Sequence, residues 1–357
     1  MRKYFLPLLL FIFSPLILFG QITYHDASQF PLLGKATTHT ATRYERLPDS
    51  LEQISRKPVW ELGKCSAGLA IRFRSNSTTI AAKWEVLYDR NMNHMTPTGI
   101  KGLDLYALVD DTWRFVNSGR PQGKTNEATI ITNMEAMERE YMLYLPLYDG
   151  ITGISIGIDS NASVSLPAVD LPIRKKPVVC YGTSILQGGC ASRPGMAHSN
   201  ILSRWLNREF INLGFSGNAL LDYEIAEVIA EVDASLYIFD FVPNATVQQM
   251  QEKAAHFFDI IRTRRPDTPI LFVEDPIFTH TFFDQRVYKE VNSKNKTIHE
   301  IFQTLKAHGE KNIYFLSSKD MLGDDGEATV DGIHFTDVGF MRYSELLYPV
   351  IQKLLNQ

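Results

Sequence analysis

The spacing of apolar residues changes once along this 357-residue chain, and that change most constrains its fold. Between about residues 22 and 170, apolar and polar residues alternate, as in Ile71-Arg72-Phe73-Arg74, and long helical periodicity is scarce. Asp110-Asp111 separates two alternating stretches and predicts a hairpin turn. We therefore expect an antiparallel β-sandwich in the N-terminal half.

In the C-terminal half, short apolar strands alternate with longer amphipathic segments. The pattern predicts strands at 178–181, 211–213, 236–239, 270–273 and 313–316, and helices near 201–206, 220–231, 247–264, 289–306 and 337–355. This spacing predicts a five-stranded parallel sheet with helices on both faces. Two prolines and a charge cluster mark 171–177 as a linker, so we expect domains at 21–172 and 173–357.

The N-terminus has the pattern of a targeting segment. Two basic residues precede an apolar run, 5–19, which is followed by Gly20. This order is typical of a secretory signal peptide, here residues 1–20, and two prolines in the run argue against the alternative of a retained membrane anchor. We expect an exported protein, periplasmic or extracellular, with no stable membrane span after cleavage.

Composition narrows the classes of partner. Apolar residues make up 45% and charged residues 21% of the chain, which is typical of globular domains rather than of disordered chains. The formal net charge is -4 and no basic block is present. A nucleic acid is therefore not expected as a partner, and a small molecule or neutral polymer is favoured.

The three cysteines leave their pairing open, and the histidines show no pattern of metal ligands. Export would permit a disulfide between Cys180 and Cys190, but three buried free thiols, Cys65 included, are the other interpretation. The histidines are scattered without the spacing of metal ligands, so no metal and no other cofactor is expected.

Four short segments carry residues of the types that acyl transfer requires. Ser184, Gly217 and Asn244 each follow a predicted strand, and Asp331-Gly332-Ile333-His334 lies in the loop before the last helix. Because active groups in parallel sheets gather beyond the carboxyl ends of the strands, we expect these segments to meet at one edge.

Each of these residues has a distinct chemical task. A serine hydroxyl is a weak nucleophile without a base, and Asp331 could orient the His334 imidazole towards Ser184. The backbone N–H groups of Ser184 and Gly217 and the amide of Asn244 could stabilise an oxyanion. The set predicts serine-dependent acyl transfer.

Several further residues are weaker candidates. Arg193 could contact a substrate oxygen or form a structural salt bridge. His280, followed by Phe282 and Phe283, could form a substrate-binding loop at the rim of the site. Three aromatic residues of the first half could form a sugar platform but are more often core: Trp84, Tyr106 and Trp113.

The order Gly-x-Ser, Gly, Asn and D-x-x-H resembles the SGNH (GDSL-type) hydrolase superfamily. The run 182–197 is similar to a bacterial branch in which a β-sandwich with a G-x-D-L-Y motif precedes the hydrolase domain, and Gly102-Leu103-Asp104-Leu105-Tyr106 matches that motif. The resemblance implies a three-layer, flavodoxin-like α/β domain in which Ser184 is the nucleophile, Asp331 and His334 complete the triad, and Ser184, Gly217 and Asn244 form the oxyanion hole. Thr183 stands where the superfamily name implies aspartate.

The resemblance and the predicted export together imply a serine esterase that removes small acyl groups, acetyl above all, from carbohydrates through an acyl-enzyme. One alternative is a lipase or thioesterase that acts on longer acyl chains. An alternative of another class is a glycan-binding protein whose hydrolase half is inert. The β-sandwich could bind polysaccharide, complete the wall of the active site or stabilise the second domain.

Overall fold

The computed structural model describes residues 21–356. Its first half contains two antiparallel sheets built from ten strands, which confirms the predicted β-sandwich. The strands are β1 (Ile22–Asp26), β2 (Leu32–Leu33), β3 (Ala70–Ser75), β4 (Ile80–Val86), β5 (Leu103–Val109), β6 (Thr112–Gly119), β7 (Thr125–Ile131), β8 (Arg139–Tyr144), β9 (Ile151–Asp159) and β10 (Val164–Ser165). One sheet has the order β1-β9-β4-β7, and the other has the order β10-β3-β8-β5-β6 with β2 beside β3.

The two sheets share an apolar core to which alternate residues of each strand contribute. Phe73 of β3, Trp84 of β4 and Ile156 of β9 are buried in it. The predicted hairpin joins β5 to β6, and both Asp110 and Asp111 have positive φ, as a tight two-residue turn of this kind requires. The aromatic residues Trp84, Tyr106 and Trp113 are all buried, so the core interpretation of them is confirmed.

Two short helices interrupt the strands of the first half, and the sequence pattern did not predict them. They are α1 (Lys57–Gly63) and α2 (Pro97–Lys101). Helix α2 begins where the Thr96 side chain accepts a hydrogen bond from the Gly99 N–H and Pro97 occupies the first turn. With five residues, α2 is too short for an apolar periodicity to show in the sequence.

The second half contains the predicted five-stranded parallel sheet. Its strands are β11 (Ile173–Gly182), β12 (Arg208–Gly214), β13 (Leu236–Asp240), β14 (Ile270–Val273) and β15 (Ile313–Leu316). Its helices are α3 (Ser184–Gln187), α4 (His198–Leu206), α5 (Tyr223–Glu231), α6 (Val247–Arg264), α7 (Gln285–Ala307) and α8 (Asp337–Leu355). The strand order is β12-β11-β13-β14-β15, and α5 and α6 pack on one face while α4 and α8 pack on the other.

This order contains one reversal, and the reversal positions the site. After β11 the chain runs outward to β12 and then returns to β13 on the opposite side of β11. The loops that follow these strands therefore diverge and leave a crevice at the carboxyl ends, which is where open α/β sheets bind ligands.

The segment predicted to be a linker is in part a strand. β11 begins at Ile173, which pairs with Arg208, and the register shifts between Ile173 and Val178. Pro177 lies within this irregular stretch, where a residue that lacks an N–H is tolerated. The charged residues before Pro177 concealed the strand in the apolar pattern. The domain boundary at 172/173 stays a prediction.

The buried Arg46 side chain joins the two halves. Its guanidinium donates hydrogen bonds to the carbonyls of Leu62 and Cys65 in the first half and of Asn212 and Gly214 in β12. A buried charge is tolerated only where polar partners surround it, and these four carbonyls supply the partners. Because they belong to both halves, the guanidinium holds β12 against the first half.

The three cysteines are buried and free, so the disulfide considered between Cys180 and Cys190 is not formed. Residues 1–20, the predicted signal peptide, lie outside the described residues. Between residues 21 and 356, no helix combines the length and the apolar character that crossing a membrane requires.

Candidate active site

Ser184 lies at the turn from β11 into α3. Gly182 ends the strand where a Cβ atom would lie 2.6 Å from the Asp240 carbonyl oxygen, so only glycine fits. The Thr183 side chain accepts a hydrogen bond from the Ile185 N–H at 3.3 Å and caps α3. Gly188 ends this single turn at φ +105°. The short helix thus presents Ser184 at the crevice beyond β11.

Ser184, His334 and Asp331 form a chain of hydrogen bonds. His334 Nε2 lies 2.9 Å from Ser184 Oγ, and His334 Nδ1 lies 2.7 Å from Asp331 Oδ2. The other carboxylate oxygen, Oδ1, accepts hydrogen bonds from the backbone N–H groups of Ile333 and His334. One oxygen of Asp331 therefore shapes the loop while the other orients the imidazole.

The hydrogen bonds at Asp331 also fix its charge. Partial burial by itself raises the pKa of Asp331, but hydrogen bonds from the His334 ring and from two backbone N–H groups outweigh it and lower the pKa to about 2. The carboxylate is therefore ionised at neutral pH and accepts a hydrogen bond from the His334 ring.

Gly217 and Asn244 lie in loops that are tied to α3. The Ser216 N–H donates to Gln187 Oε1 of α3 at 3.0 Å, and the Ala219 N–H donates to Asn244 Oδ1 at 3.3 Å. Because Oδ1 of Asn244 is used in this way, its amide Nδ2 remains as the donor end. The segments that carry Ser184, Gly217 and Asn244 are thus linked at one edge of the sheet.

The structure distinguishes Gly217 from its neighbour Gly214. Gly214 is buried, and a Cβ atom there would lie 2.3 Å from the backbone N of Gln187. Gly217 is exposed at φ +67° with open space around its Cα. Gly214 therefore serves close packing, while the backbone at Gly217 is accessible to a substrate.

Both halves match known families. Residues 175–352 match the GDSL-like lipase/acylhydrolase family, and residues 22–164 match the GxDLY domain, the N-terminus of SGNH hydrolase-type esterases. A GDSL-like lipase from Bacteroides ovatus of known structure is 39% identical, with a TM-score of 0.90 over 94% of this chain and 98% of that chain. The chain belongs to the GDSL/SGNH hydrolase family. The predicted resemblance is thereby confirmed for both halves.

Two more distant structures share the fold of this SGNH hydrolase. The salicylyl-acyltransferase SsfX3 from a tetracycline biosynthetic pathway is 17% identical, with a TM-score of 0.76 over 94% of this chain and 97% of that one. A family two carbohydrate esterase from Clostridium thermocellum, in complex with cellohexaose, is 12% identical, with a TM-score of 0.59 over 94% and 99%. Among curated proteins, no relative of significant similarity was found.

Arg193 of this SGNH hydrolase contacts the first half of the chain. Its guanidinium donates to Asp104 Oδ2 and to the Tyr106 hydroxyl, both at 2.7 Å, and lies over the Phe115 ring. Asp104 is fully buried and also accepts the Gly195 N–H. Of the two interpretations of Arg193, these contacts favour a structural salt bridge over contact with a substrate. The aspartate and tyrosine of the G-x-D-L-Y motif already bind the guanidinium.

His280 lies against the loop that carries Asp331 and His334. A Cβ atom at Gly332 would lie 3.0 Å from His280 Nδ1, and this buried nitrogen has no hydrogen-bond partner among the described residues. Phe282 and Phe283 follow in the same turn and are 79% and 82% exposed. The loop after β14 thus forms an apolar rim beside the site.

Two residues near the site, His94 and Tyr148, escaped the sequence analysis, and a third, Cys190, was considered there only for a disulfide. The ring centroid of His94, from the segment before α2, lies 5.5 Å from that of His334. The Tyr148 hydroxyl donates to the Ser184 carbonyl at 3.3 Å, and Cys190 lies close to both histidines. No local motif surrounds His94 or Tyr148, and only the packing of the first half against the second brings them here.

Proposed function

We propose that this SGNH hydrolase is an exported esterase that removes small acyl groups, acetyl above all, from carbohydrates. The observation that carries the proposal is the hydrogen-bonded chain from Ser184 through His334 to Asp331. A nucleophile, a base and an orienting carboxylate in this geometry are what acyl transfer through a serine ester requires.

The reaction begins with attack on the ester carbonyl. His334 Nε2 takes the proton from Ser184 Oγ as the oxygen attacks, and Asp331 stabilises the resulting imidazolium. The backbone N–H groups of Ser184 and Gly217 and the Asn244 amide stabilise the oxyanion. When the tetrahedral intermediate collapses, His334 gives its proton to the leaving alcohol, and acyl-Ser184 remains. Water activated by His334 then releases the acid and restores the serine.

Two observations support a carbohydrate substrate. The structural neighbour from Clostridium thermocellum, which shares the fold over both halves, is a carbohydrate esterase seen with cellohexaose. The basic residues and apolar run of residues 1–20 suit export to where polysaccharides occur. Sequencing the N-terminus of the protein recovered from its native cells tests the export. A start near residue 21 supports cleavage, and an intact Met1 contradicts it.

The exposed apolar rim favours a second candidate, an esterase for longer or aromatic acyl groups. Phe282, Phe283 and Ile333 are all exposed, and Ile333 lies next to His334 in the chain. Comparing kcat/KM on model esters from two to twelve carbons separates the candidates. A maximum at two to four carbons supports the deacetylase, and a maximum at eight or more supports the second candidate.

Acetate release from a panel of acetylated polysaccharides tests the carbohydrate assignment, with Ser184→Ala as the matched control. We expect the wild-type protein to release acetate and the variant to release none. Cleavage of short model esters without release from any polysaccharide contradicts the carbohydrate assignment but not the hydrolase. Binding of polysaccharide without any acid release supports the inert glycan-binding protein instead.

A further inference from the structure

Three side chains that suit transition metals converge at the mouth of the site. His94 comes from the first half, Cys190 follows α3, and His334 lies in the last loop. One ligating atom from each lies within 4.8 Å of the other two. We propose that these residues form a binding site for Zn²⁺ or a similar transition-metal ion, and that the bound ion reversibly inhibits the esterase.

The donor set determines which ions fit. Two imidazoles and one thiol suit Zn²⁺, Co²⁺ and Cu ions, whereas Mg²⁺ and Ca²⁺ require oxygen ligands. Bonds of about 2.0 Å to nitrogen and 2.3 Å to sulfur place the ligands of a tetrahedral ion about 3.5 Å apart. The present separations, at most 4.8 Å, exceed this distance by up to about 1.3 Å. Binding therefore requires the side chains to rotate towards the ion, and water would complete the coordination.

Both imidazoles are already oriented for coordination. His94 Nδ1 lies 2.7 Å from Asn93 Oδ1, and His334 Nδ1 lies 2.7 Å from Asp331 Oδ2. Metal-bound histidines characteristically donate their second ring N–H to such an oxygen, which leaves the lone pair of Nε2 for the ion. The two histidines are half-buried, so an ion can reach them from solvent.

Inhibition follows from the shared nitrogen. The Nε2 atom of His334 that would bind the ion is the atom 2.9 Å from Ser184 Oγ. A coordinated Nε2 has no lone pair left to accept the serine proton, so the ion and the reaction exclude each other. This consequence rests on the proposed function, whereas the binding of the ion does not.

Cobalt absorption tests the binding without reference to activity. We expect Co²⁺ added to the Ser184→Ala variant to give the near-ultraviolet charge-transfer band of a cobalt-thiolate bond. A Cys190→Ser substitution in the same background should abolish the band. A band that persists without Cys190, or its absence from Ser184→Ala, overturns the site. Residual esterase activity in Ser184→Ala contradicts the proposed function alone.

Zinc titrations of short-ester hydrolysis test the inhibition, with each variant normalised to its own uninhibited rate. We expect Zn²⁺ to inhibit wild type, a chelator to restore activity, and Mg²⁺ to have no effect. His94→Ala should raise the inhibiting Zn²⁺ concentration at least about tenfold. His39→Ala, an exposed histidine outside the cluster, should leave it unchanged. Equal inhibition of wild type, His94→Ala and Cys190→Ser overturns the proposal.

Discussion

Asp331 accepts hydrogen bonds on both carboxylate oxygens, and the two sets of bonds do different work. The backbone N–H groups on Oδ1 hold the loop, while the hydrogen bond on Oδ2 fixes the orientation of the His334 ring. An asparagine retains an acceptor for the backbone but removes the charge. Asp331→Asn therefore separates the effect of the side chain's shape from the effect of its charge.

We expect Asp331→Asn to lower kcat by about 10²- to 10⁴-fold, because the amide neither stabilises the imidazolium nor fixes the tautomer. Since the pKa of Asp331 lies below its usual range, the stabilisation from its charge is present at neutral pH and is lost only as pH falls towards about 2. Asp331 therefore stays charged between about pH 5 and 9, and the loss in kcat should be present throughout this range. Steady-state kinetics across this range, with thermal unfolding as the folding control, check it, and a kcat within twofold of wild type contradicts it.

Motif order in the sequence could predict that Ser184, Asp331 and His334 meet, because each lies in a short segment of recognisable composition. Contacts made by distant residues could not be predicted in this way. Arg193 and Asp104 are 89 residues apart, and a lone arginine after a loop is equally compatible with binding a substrate. His94 lies in a segment without any motif, and its place beside His334 depends on how the two halves pack.

At the scale of elements, the contact between β12 and α3 positions Ser184, the proposed nucleophile. Gly214 at the end of β12 leaves no room for a Cβ atom against the backbone of Gln187 in α3. Gly217, three residues later, has open space but a left-handed backbone. The two glycines are therefore required for different physical reasons.

Alanine substitutions of these two glycines should differ in kind. Gly214→Ala forces α3 away from β12, so we expect a loss of about 1–3 kcal/mol in the free energy of unfolding together with a fall in kcat as Ser184 moves. Gly217→Ala should cost about 1 kcal/mol, from the backbone conformation alone. Urea unfolding and ester kinetics on both variants check this. A larger stability loss in Gly217→Ala than in Gly214→Ala contradicts the packing argument.

The strands and helices of the C-terminal half could be predicted because each is long enough, and apolar enough on one face, to show its period. The pattern failed where the apolar signal was interrupted. The charges before Pro177 hid the start of β11, and α1 and α2 were too short to show a period. Tertiary contacts, rather than local pattern, define these elements.

At the scale of the whole molecule, the pair of Asp104 and Arg193 holds the β-sandwich against the hydrolase half. Asp104 is fully buried, so Arg193→Met leaves a buried carboxylate without its cation. We expect a loss of about 3 kcal/mol in the free energy of unfolding. Arg114→Met removes an exposed pair with Asp110 and should cost less than about 1 kcal/mol. Equal losses in the free energy of unfolding for Arg193→Met and Arg114→Met, measured by urea unfolding, would contradict this role of the buried pair.

Asp240, buried at the end of β13, should make stability depend on pH. Burial raises the pKa of Asp240 to about 8; the Tyr343 hydroxyl opposes this shift and Asp275 adds to it. Because this pKa is raised, protonated Asp240 contributes its full stabilisation of the folded state below about pH 4. This stabilisation is lost as pH rises through about 8. Asp240→Asn removes this loss. We expect the difference in Tm between the variant and wild type to shift in favour of the variant as pH rises from about 5 to 9. A Tm difference that does not change with pH contradicts the assignment.

The central claim is that Ser184 is the nucleophile that His334 activates. The most direct measurement treats the protein with a fluorophosphonate, which reacts with activated serines, and locates the adduct by peptide mass spectrometry. We predict one adduct, on the peptide that contains Ser184, and its loss in His334→Ala. An adduct on another residue, or full ester hydrolysis by Ser184→Ala, would contradict the claim.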